Sequence, residues 1–256
     1  MQSKSGAEYV ELDARPEAHF DVSVPAFARG NARVTWHSGL AVNWALSKSE
    51  GRPARRASLF VKRVIDIVGA SVGLALLAPL MIIVALAVKL SSPGPILFRQ
   101  SREGLDGRPF EALKFRSMRV DDCDVSGIAQ TRENDPRVTP VGRFIRKTSI
   151  DELPQLFNVL FGDMSLVGPR PHVAGMMAGG RPYRDLVPYY GQRLAMRPGI
   201  TGWAQANGLR GSTRDMGKAR ERIDHDIAYI QNFSIWLDMK IIAMTIAREF
   251  FTGNGE

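Results

Sequence analysis

Hydrophobic and polar residues divide the chain into three parts. Residues 1–57 are polar and show no sustained hydrophobic period, which predicts a flexible polar tail. Residues 58–92 hold one long apolar run, and residues 93–252 mix short apolar segments with charged ones. We therefore predict an α+β protein, in which a membrane helix precedes a compact, mostly helical domain with a small sheet.

The apolar run carries no charge from Ile67 to Val88, long enough for a helix that crosses a bilayer core of about 30 Å. Pro79 lies near its middle, where a proline removes a backbone hydrogen bond and kinks the helix. Basic residues flank the run on both sides, whereas a spanning helix usually has its basic excess on the cytoplasmic side. The pattern favours a re-entrant helix bent at Pro79, with a straight span as the alternative.

Two short segments after this run, Ile96–Phe98 and Phe110–Phe115, are predicted to be strands separated by a turn. Because side chains alternate along a strand, Lys114 and Arg116 are expected to project from one face. In the apolar run, Gly69-x-x-x-Gly73 is a spacing that packs helices closely, which leaves a homodimer possible.

Two amphipathic helices are predicted near the C-terminus. The first covers Arg220–Gln231 and has Asp226 near its apolar face. The second begins at Ile235 and places Asp238 and Thr245 opposite its apolar stripe. This second helix is expected either to lie on the membrane surface or to pack on the domain.

The composition is basic, with a formal charge of +8 over 256 residues. Such a balance suits nucleic acid, an anionic membrane face or phosphorylated substrates. No module of aromatic residues interleaved with basic ones is present, so we expect no nucleic-acid partner. Cys123 is the single cysteine, which excludes an internal disulfide and indicates a reducing compartment.

Two adjacent carboxylates, Asp151 and Glu152, follow the basic residue Arg146. Pro154 comes directly after, and a proline within a helix is tolerated only in the first turn. The two acids are therefore predicted at a helix start, where unpaired N–H groups favour anions. A capping box between Ser149 and Glu152 is the structural alternative.

Prolines flank Arg170 on both sides and stiffen its backbone, so its guanidinium is suited to two-pronged phosphate binding. A structural turn is the alternative for this segment. Further along, Arg197, Gln205 and Asn207 lie in a turn-rich segment with groups able to bond a nucleotide or sugar. Together with Asp226, they are predicted contacts to nucleotide, sugar or acceptor.

Five short motifs follow one another between Lys62 and Thr245. They are Lys62-Arg63-x-x-Asp66, Lys114-Phe115-Arg116-Ser117-Met118, Asp151-Glu152-Leu153-Pro154-Gln155, Gly168-Pro169-Arg170-Pro171 and Arg197-Pro198-Gly199-Ile200-Thr201-Gly202. In this order they make the chain similar to the bacterial sugar transferase family, the monotopic phosphoglycosyl transferases.

The resemblance implies transfer of a sugar-1-phosphate from a UDP-sugar to polyprenyl phosphate, with release of UMP. It places the protein in the bacterial inner membrane, with its catalytic domain on the cytoplasmic face and Mg²⁺ as the metal. The single apolar run and the Pro171-His172-Val173 segment are similar to small hexose-1-phosphate transferases that begin exopolysaccharide repeats. UDP-glucose or UDP-galactose is the expected donor. The alternative is a catalytically inactive, membrane-anchored scaffold of polysaccharide assembly.

The resemblance also implies roles for single residues. Asp151 is the expected nucleophile, forming a covalent phosphosugar intermediate, and Glu152 is its partner; both are expected to hold Mg²⁺. Substrate-phosphate contacts are expected from a set of basic residues: Arg146, Arg170, Lys114 and Arg116. The membrane helix is expected to re-enter at Pro79, although this chain has Ala78 where relatives often have serine. A hydroxyl that would satisfy the bent helix is therefore missing.

Overall fold

The computed structural model describes residues 53–120, 135–211 and 215–252. Of the predicted polar tail, residues 1–57, the first 52 residues lie outside these described ranges. Residues 53–57 already belong to the first helix, α1 (Pro53–Ser91), which begins before the predicted boundary at residue 58.

Helix α1 is long and apolar enough to cross a membrane, and it alone meets that test within the described ranges. It runs through Pro79 without interruption. The proline therefore does not divide α1 into two separate helices. The re-entrant path itself stays a prediction.

The remaining elements form a mixed domain, which confirms the α+β prediction. Strands β1 (Leu97–Glu103) and β2 (Pro109–Phe115) pair in an antiparallel hairpin, as the pattern predicted. Strands β3 (Ser165–Val167) and β6 (Gly199–Thr201) pair in parallel, and β4 (Met177–Ala178) and β5 (Arg181–Pro182) form a second hairpin. The other helices are α2 (Pro140–Lys147), α3 (Gln155–Phe161), α4 (Trp203–Ala206), α5 (Met216–Gln231) and α6 (Ile235–Thr252).

The charged motif near the start of α1 anchors the helix to this domain. Lys62 lies 2.6 Å from Asp238 of α6 in a buried ion pair. Arg63 donates to two carbonyls in the last turn of α3, at 2.6 and 2.9 Å. Asp66 accepts from the Ser165 hydroxyl and from the next amide along β3, each at 2.9 Å. The motif thus joins α1 to three elements of the domain.

The two glycines of α1 face the domain's own side chains, and Gly69 leaves space that a larger residue would fill. A Cβ on Gly69 would lie 2.6 Å from Leu166, and one on Gly73 would lie 3.4 Å from Leu156. The Gly-x-x-x-Gly spacing is therefore used for packing inside the chain. This removes the structural argument for a homodimer built on these glycines.

Arg116 caps the other end of α1. Strand β2 ends at Phe115, and the buried Arg116 guanidinium donates to the carbonyls of Val88, Ser92 and Pro93 at 3.2, 2.6 and 2.7 Å. These are carbonyls that the end of a helix leaves without partners. The expected phosphate contact from Arg116 is thus wrong, because its donors are already engaged with α1.

Replacing this cap is expected to destabilise the protein. Arg116→Met would leave buried carbonyls without donors, so we expect a loss of about 3 kcal/mol in the free energy of unfolding. Thermal unfolding in a fixed detergent measures it. Arg99→Met is the matched control, because Arg99 is exposed in its pair with Glu111 and its loss should cost below about 0.5 kcal/mol. Equal effects from the two variants would contradict a capping role.

Helix α6 turns its polar side inward. Asp238 is buried, and the Thr245 hydroxyl lies 2.6 Å from that of a threonine in β6. In contrast, Trp236 is 79% exposed and Ile246 is 52% exposed. The helix therefore packs on the domain through these polar residues and through Leu237, Ile241 and Met244, while Trp236 and Ile246 stay outward.

Candidate active site

The acid pair lies in a single 3₁₀ turn, Ile150–Glu152, between α2 and α3. Helix α3 begins only at Gln155, so the acids precede its first turn, unlike the predicted helix start. Ser149 has a left-handed backbone (φ 55°) and makes no capping hydrogen bond with its side chain. The capping-box alternative is therefore wrong.

Glu152 is held by two cations. Its Oε1 accepts from Lys114 at 2.8 Å and from Arg170 at 2.7 Å, and its Oε2 accepts from Arg170 at 3.2 Å. Burial acts to raise the pKa of this carboxyl, but the charges of Arg170 and Lys114 outweigh it and hold the pKa well below its usual range. Glu152 is therefore ionised, and the structure brings Lys114 and Arg170 to the acid pair, while their expected contacts to substrate phosphate stay predictions.

Asp151 has the opposite electrostatic character. Its side chain is buried, and burial raises the pKa of Asp151 to about 6, while Lys114 and Arg146 act to lower it and Glu152 acts to raise it. The pKa values of the two adjacent carboxyls are thus shifted in opposite directions. Such separation is typical of acid pairs with distinct chemical roles.

A further basic residue, Arg102 of β1, belongs to this environment. Burial and the charge of Arg170 lower the pKa of Arg102 to about 10, while Glu152 acts to raise it. No sequence pattern assigned it to the site, since only tertiary packing brings the end of β1 to the Arg170 loop. Cations therefore outnumber the two acids around the 3₁₀ turn: Lys114, Arg146, Arg170 and Arg102. The site is suited to a ligand with dense negative charge.

The four predicted nucleotide, sugar or acceptor contacts bond instead within the domain. Arg197 donates to a carbonyl at the end of α3 (2.9 Å), Gln205 to a carbonyl of β6 (3.1 Å) and Asn207 to the first residue of α4 (2.7 Å). Asp226 is buried against Arg193 at 2.8 Å. These bonds give each of the four a structural role, and the expected contacts to nucleotide, sugar or acceptor stay predictions.

No group of three or more His, Cys, Asp or Glu side chains that could hold a metal ion occurs in the part of the chain that the structure describes. Mg²⁺ usually binds proteins through only one or two carboxylates plus substrate phosphates, so the acid pair fits that mode. Both oxygens of Glu152 already accept from cations. Asp151 is therefore the better-placed metal ligand of the two.

An apolar groove of about 920 Å³ lies between α1, the β1–β2 hairpin and the start of α3. Leu74, Ala78 and Met81 line it from α1, and Pro154 and Phe157 line it beside the acid pair. The groove thus connects the apolar helix with the segment directly after Glu152.

Comparison with known proteins gives a consistent family. The sequence model described as bacterial sugar transferase matches residues 57–252. The chain is 55% identical over 197 residues to the exopolysaccharide production protein PSS of Rhizobium leguminosarum bv. phaseoli, covering 77% of this chain and 98% of that protein.

Two further relatives carry more explicit names. The chain is 49% identical over 198 residues to the UDP-glucose:undecaprenyl-phosphate glucose-1-phosphate transferase of Escherichia coli (strain K12), covering 77% of this chain and 42% of that protein. It is 50% identical over 210 residues to a protein of the same name from Caulobacter vibrioides, covering 82% of this chain and 77% of that one. The matched part therefore spans less than half of the E. coli relative.

Proposed function

Since the chain belongs to the bacterial sugar transferase family, we propose that it moves a hexose-1-phosphate from a UDP-sugar to undecaprenyl or another polyprenyl phosphate, with release of UMP. The observation that carries the proposal is the buried acid pair, in which Glu152 contacts both Lys114 and Arg170, within an excess of cations. The names of the relatives support UDP-glucose as donor and exopolysaccharide assembly as the process.

Asp151 is the nucleophile in the proposed reaction. Its carboxylate oxygen attacks the sugar-bearing phosphorus, and the bond from that phosphorus to the bridging oxygen breaks, so that UMP leaves with the bonding electrons. A phosphate oxygen of the polyprenyl phosphate then attacks the same phosphorus. The aspartyl–phosphorus bond breaks, Asp151 returns as a carboxylate and the lipid carries the sugar diphosphate linkage.

The surrounding cations lower the barrier to this attack. A carboxylate approaches a diphosphate only if the negative charge of both is neutralised, and Lys114, Arg146 and Arg170 supply positive charge beside the acid pair. Bound Mg²⁺, with Asp151 as its best-placed protein ligand, would neutralise phosphate oxygens further. Glu152, held by two cations, keeps Arg170 and Lys114 directed into the site.

We also propose that α1 re-enters the cytoplasmic side of the inner membrane. Residues near both of its ends bond to one and the same domain: Lys62, Arg63 and Asp66 at one end, and the carbonyls that Arg116 caps at the other. A helix that crossed a bilayer would hold its two ends on opposite sides. The outward apolar residues of α6 and the 74% exposed Phe161 of α3 suit contact with the same lipid surface. The groove beside Pro154 suits the polyprenyl chain of the acceptor.

Cysteine labelling from each side of intact inner membranes tests this topology. In a Cys123→Ser background, probes at Ser47 and Arg108 are expected to react only after reagent reaches the cytoplasm, since both flanks of α1 lie there. A periplasmic cysteine in a known membrane protein serves as the positive control. A Ser47 probe labelled only from the periplasm, with the Arg108 probe labelled only from the cytoplasm, would exclude re-entry.

The first half-reaction is expected to lose activity in acid. The pKa of Asp151 is raised to about 6, so the nucleophilic carboxylate is lost as pH falls through that value. We expect kcat/KM for UMP release to fall about ten-fold per pH unit below 6 and to level off above it. Lys114→Met, which removes a charge that lowers this pKa, should move the midpoint to higher pH. A wild-type profile that stays flat down to pH 4.5, with folding verified by circular dichroism, would contradict the assignment.

A panel of UDP-sugars with undecaprenyl phosphate, assayed for UMP release by the purified protein in detergent, tests the proposed function. Turnover with UDP-glucose is the expected result, and UDP-galactose and the N-acetylated sugars define the specificity. Absence of UMP release with every sugar, from folded protein supplied with Mg²⁺, would favour the inactive scaffold.

A further inference from the structure

The loop Gly168–His172, which carries Arg170, is held by hydrogen bonds to four consecutive carbonyls. Its carbonyls from residue 169 to residue 172 all accept hydrogen bonds from other parts of the domain. In chain order the donors are the Gly199 amide, the Arg193 guanidinium, the Arg102 guanidinium and the Glu103 amide. Two of these braces are thus arginine side chains.

Arg193 differs from the other donors because it is itself fixed by a buried charge. Its side chain and that of Asp226 on α5 are 1% and 2% exposed. Asp226 Oδ2 accepts from Arg193 Nη2 at 2.8 Å and from Nε at 3.2 Å, and the same Nη2 donates to the Arg170 carbonyl. A buried ion pair often adds little net stability over apolar residues of equal volume. We therefore ask which part of the structure this pair holds in position.

The other end of Arg170 reaches the acid pair. Its guanidinium contacts both oxygens of Glu152, at 2.7 and 3.2 Å. A continuous series of bonds therefore runs from Asp226 through Arg193 and the backbone of Arg170 to Glu152. A two-pronged contact tolerates only small displacements, so the position of the Arg170 backbone decides whether the clamp forms.

On the basis of the function proposed above, we propose that Arg193 and Asp226 are a positioning pair, which holds the Arg170 backbone so that its guanidinium clamps Glu152. Neither residue touches the reacting atoms in this arrangement. Asp226 thereby acts on the reaction from α5, through the loop, rather than as a contact to nucleotide or sugar.

The double variant Arg193→Met/Asp226→Leu tests the pair without leaving a buried charge alone. We expect it to fold, because no buried charge is left alone, but with a Tm below that of wild type, because the Arg170 carbonyl loses its donor. Amide hydrogen exchange in the peptide 166–174 should rise about ten-fold, because one brace of the loop is lost. The kcat/KM for UMP release should fall about ten-fold. Should this variant not fold, Arg193→Lys, which retains the charge but not the fork of donors, takes its place with the same expectations.

A double-mutant cycle with Arg170→Lys separates positioning from simple support of the fold. If the pair acts through Arg170, combining the changes should cost about ten-fold in kcat/KM, as each does alone, and not about a hundred-fold. The matched control is Tyr189→Phe/Asp224→Leu. It removes a 2.9 Å hydrogen bond that, like the Arg193–Asp226 pair, joins α5 to the segment 189–193. It should leave both exchange in the loop and kcat/KM within about two-fold of wild type.

Losses that multiply in the cycle, or unchanged exchange in the loop of the pair variant, would overturn the positioning role. Wild-type protein that releases no UMP is a separate failure, that of the proposed function. The exchange measurement does not depend on turnover, so it distinguishes the two.

Discussion

Asp151→Asn is expected to abolish the covalent half-reaction. With Mg²⁺, UDP-glucose and no acceptor, wild-type protein should release UMP in a burst no larger than the enzyme concentration, because each molecule can react only once. Mass spectrometry should then find a hexose-phosphate adduct on the peptide that contains Asp151. The variant should show neither burst nor adduct and should lose at least about a thousand-fold in kcat, since an amide is not a competent nucleophile.

The same substitution is expected to stabilise the fold. A carboxyl whose pKa is about 6 in the folded protein, against 3.8 when it is exposed in the unfolded chain, binds its proton more tightly in the native state. Its contribution to stability therefore falls as pH rises from about 4 to 6, and at pH 7.5 the full cost of the buried charge is present. Asn removes that cost, at most about 3 kcal/mol, so Tm should rise by several degrees.

Asp215→Asn is the matched control, because Asp215 caps α5 and asparagine caps helices equally well. It should keep the burst, the adduct and the wild-type Tm. Normal turnover by Asp151→Asn, or an adduct that maps to another residue, would show that Asp151 is not the nucleophile.

Arg170→Lys is expected to reduce kcat/KM about ten-fold or more, equal to about 1.4 kcal/mol of transition-state stabilisation. The substitution retains the charge but replaces the planar fork, which contacts both oxygens of Glu152, with a single ammonium. Lys114 already occupies Oε1, so the lysine cannot restore the clamp. Steady-state UMP release with undecaprenyl phosphate measures the loss.

Arg99→Lys controls for the general effect of exchanging an arginine, because Arg99 lies 66% exposed on β1. Its kcat/KM should stay within about two-fold of wild type. Wild-type kinetics in Arg170→Lys would assign Arg170 to structure alone, as a residue of the turn.

Local patterns were sufficient for much of this protein. Twenty-two uncharged residues from Ile67 to Val88 indicate a long apolar helix whatever its surroundings, because apolar side chains avoid water in any fold. Alternation predicted the β1–β2 hairpin, and the adjacent acids with Arg146 and Arg170 indicated where the candidate site lies. These features depend on residues that are close together in the chain, so the sequence alone is sufficient to predict them.

Tertiary structure decided which charged groups meet. Lys114 and Arg116 are two residues apart and chemically alike, yet one reaches Glu152 and the other caps α1. Asp226 is polar and near an apolar helix face, and only the packing of α5 against Arg193 shows that its charge is compensated inside the protein. Arg102 joined the site with no signal in its spacing. The energy of a charge depends on its burial and on partners far away in the chain, so its role is set by the fold and not by the local sequence.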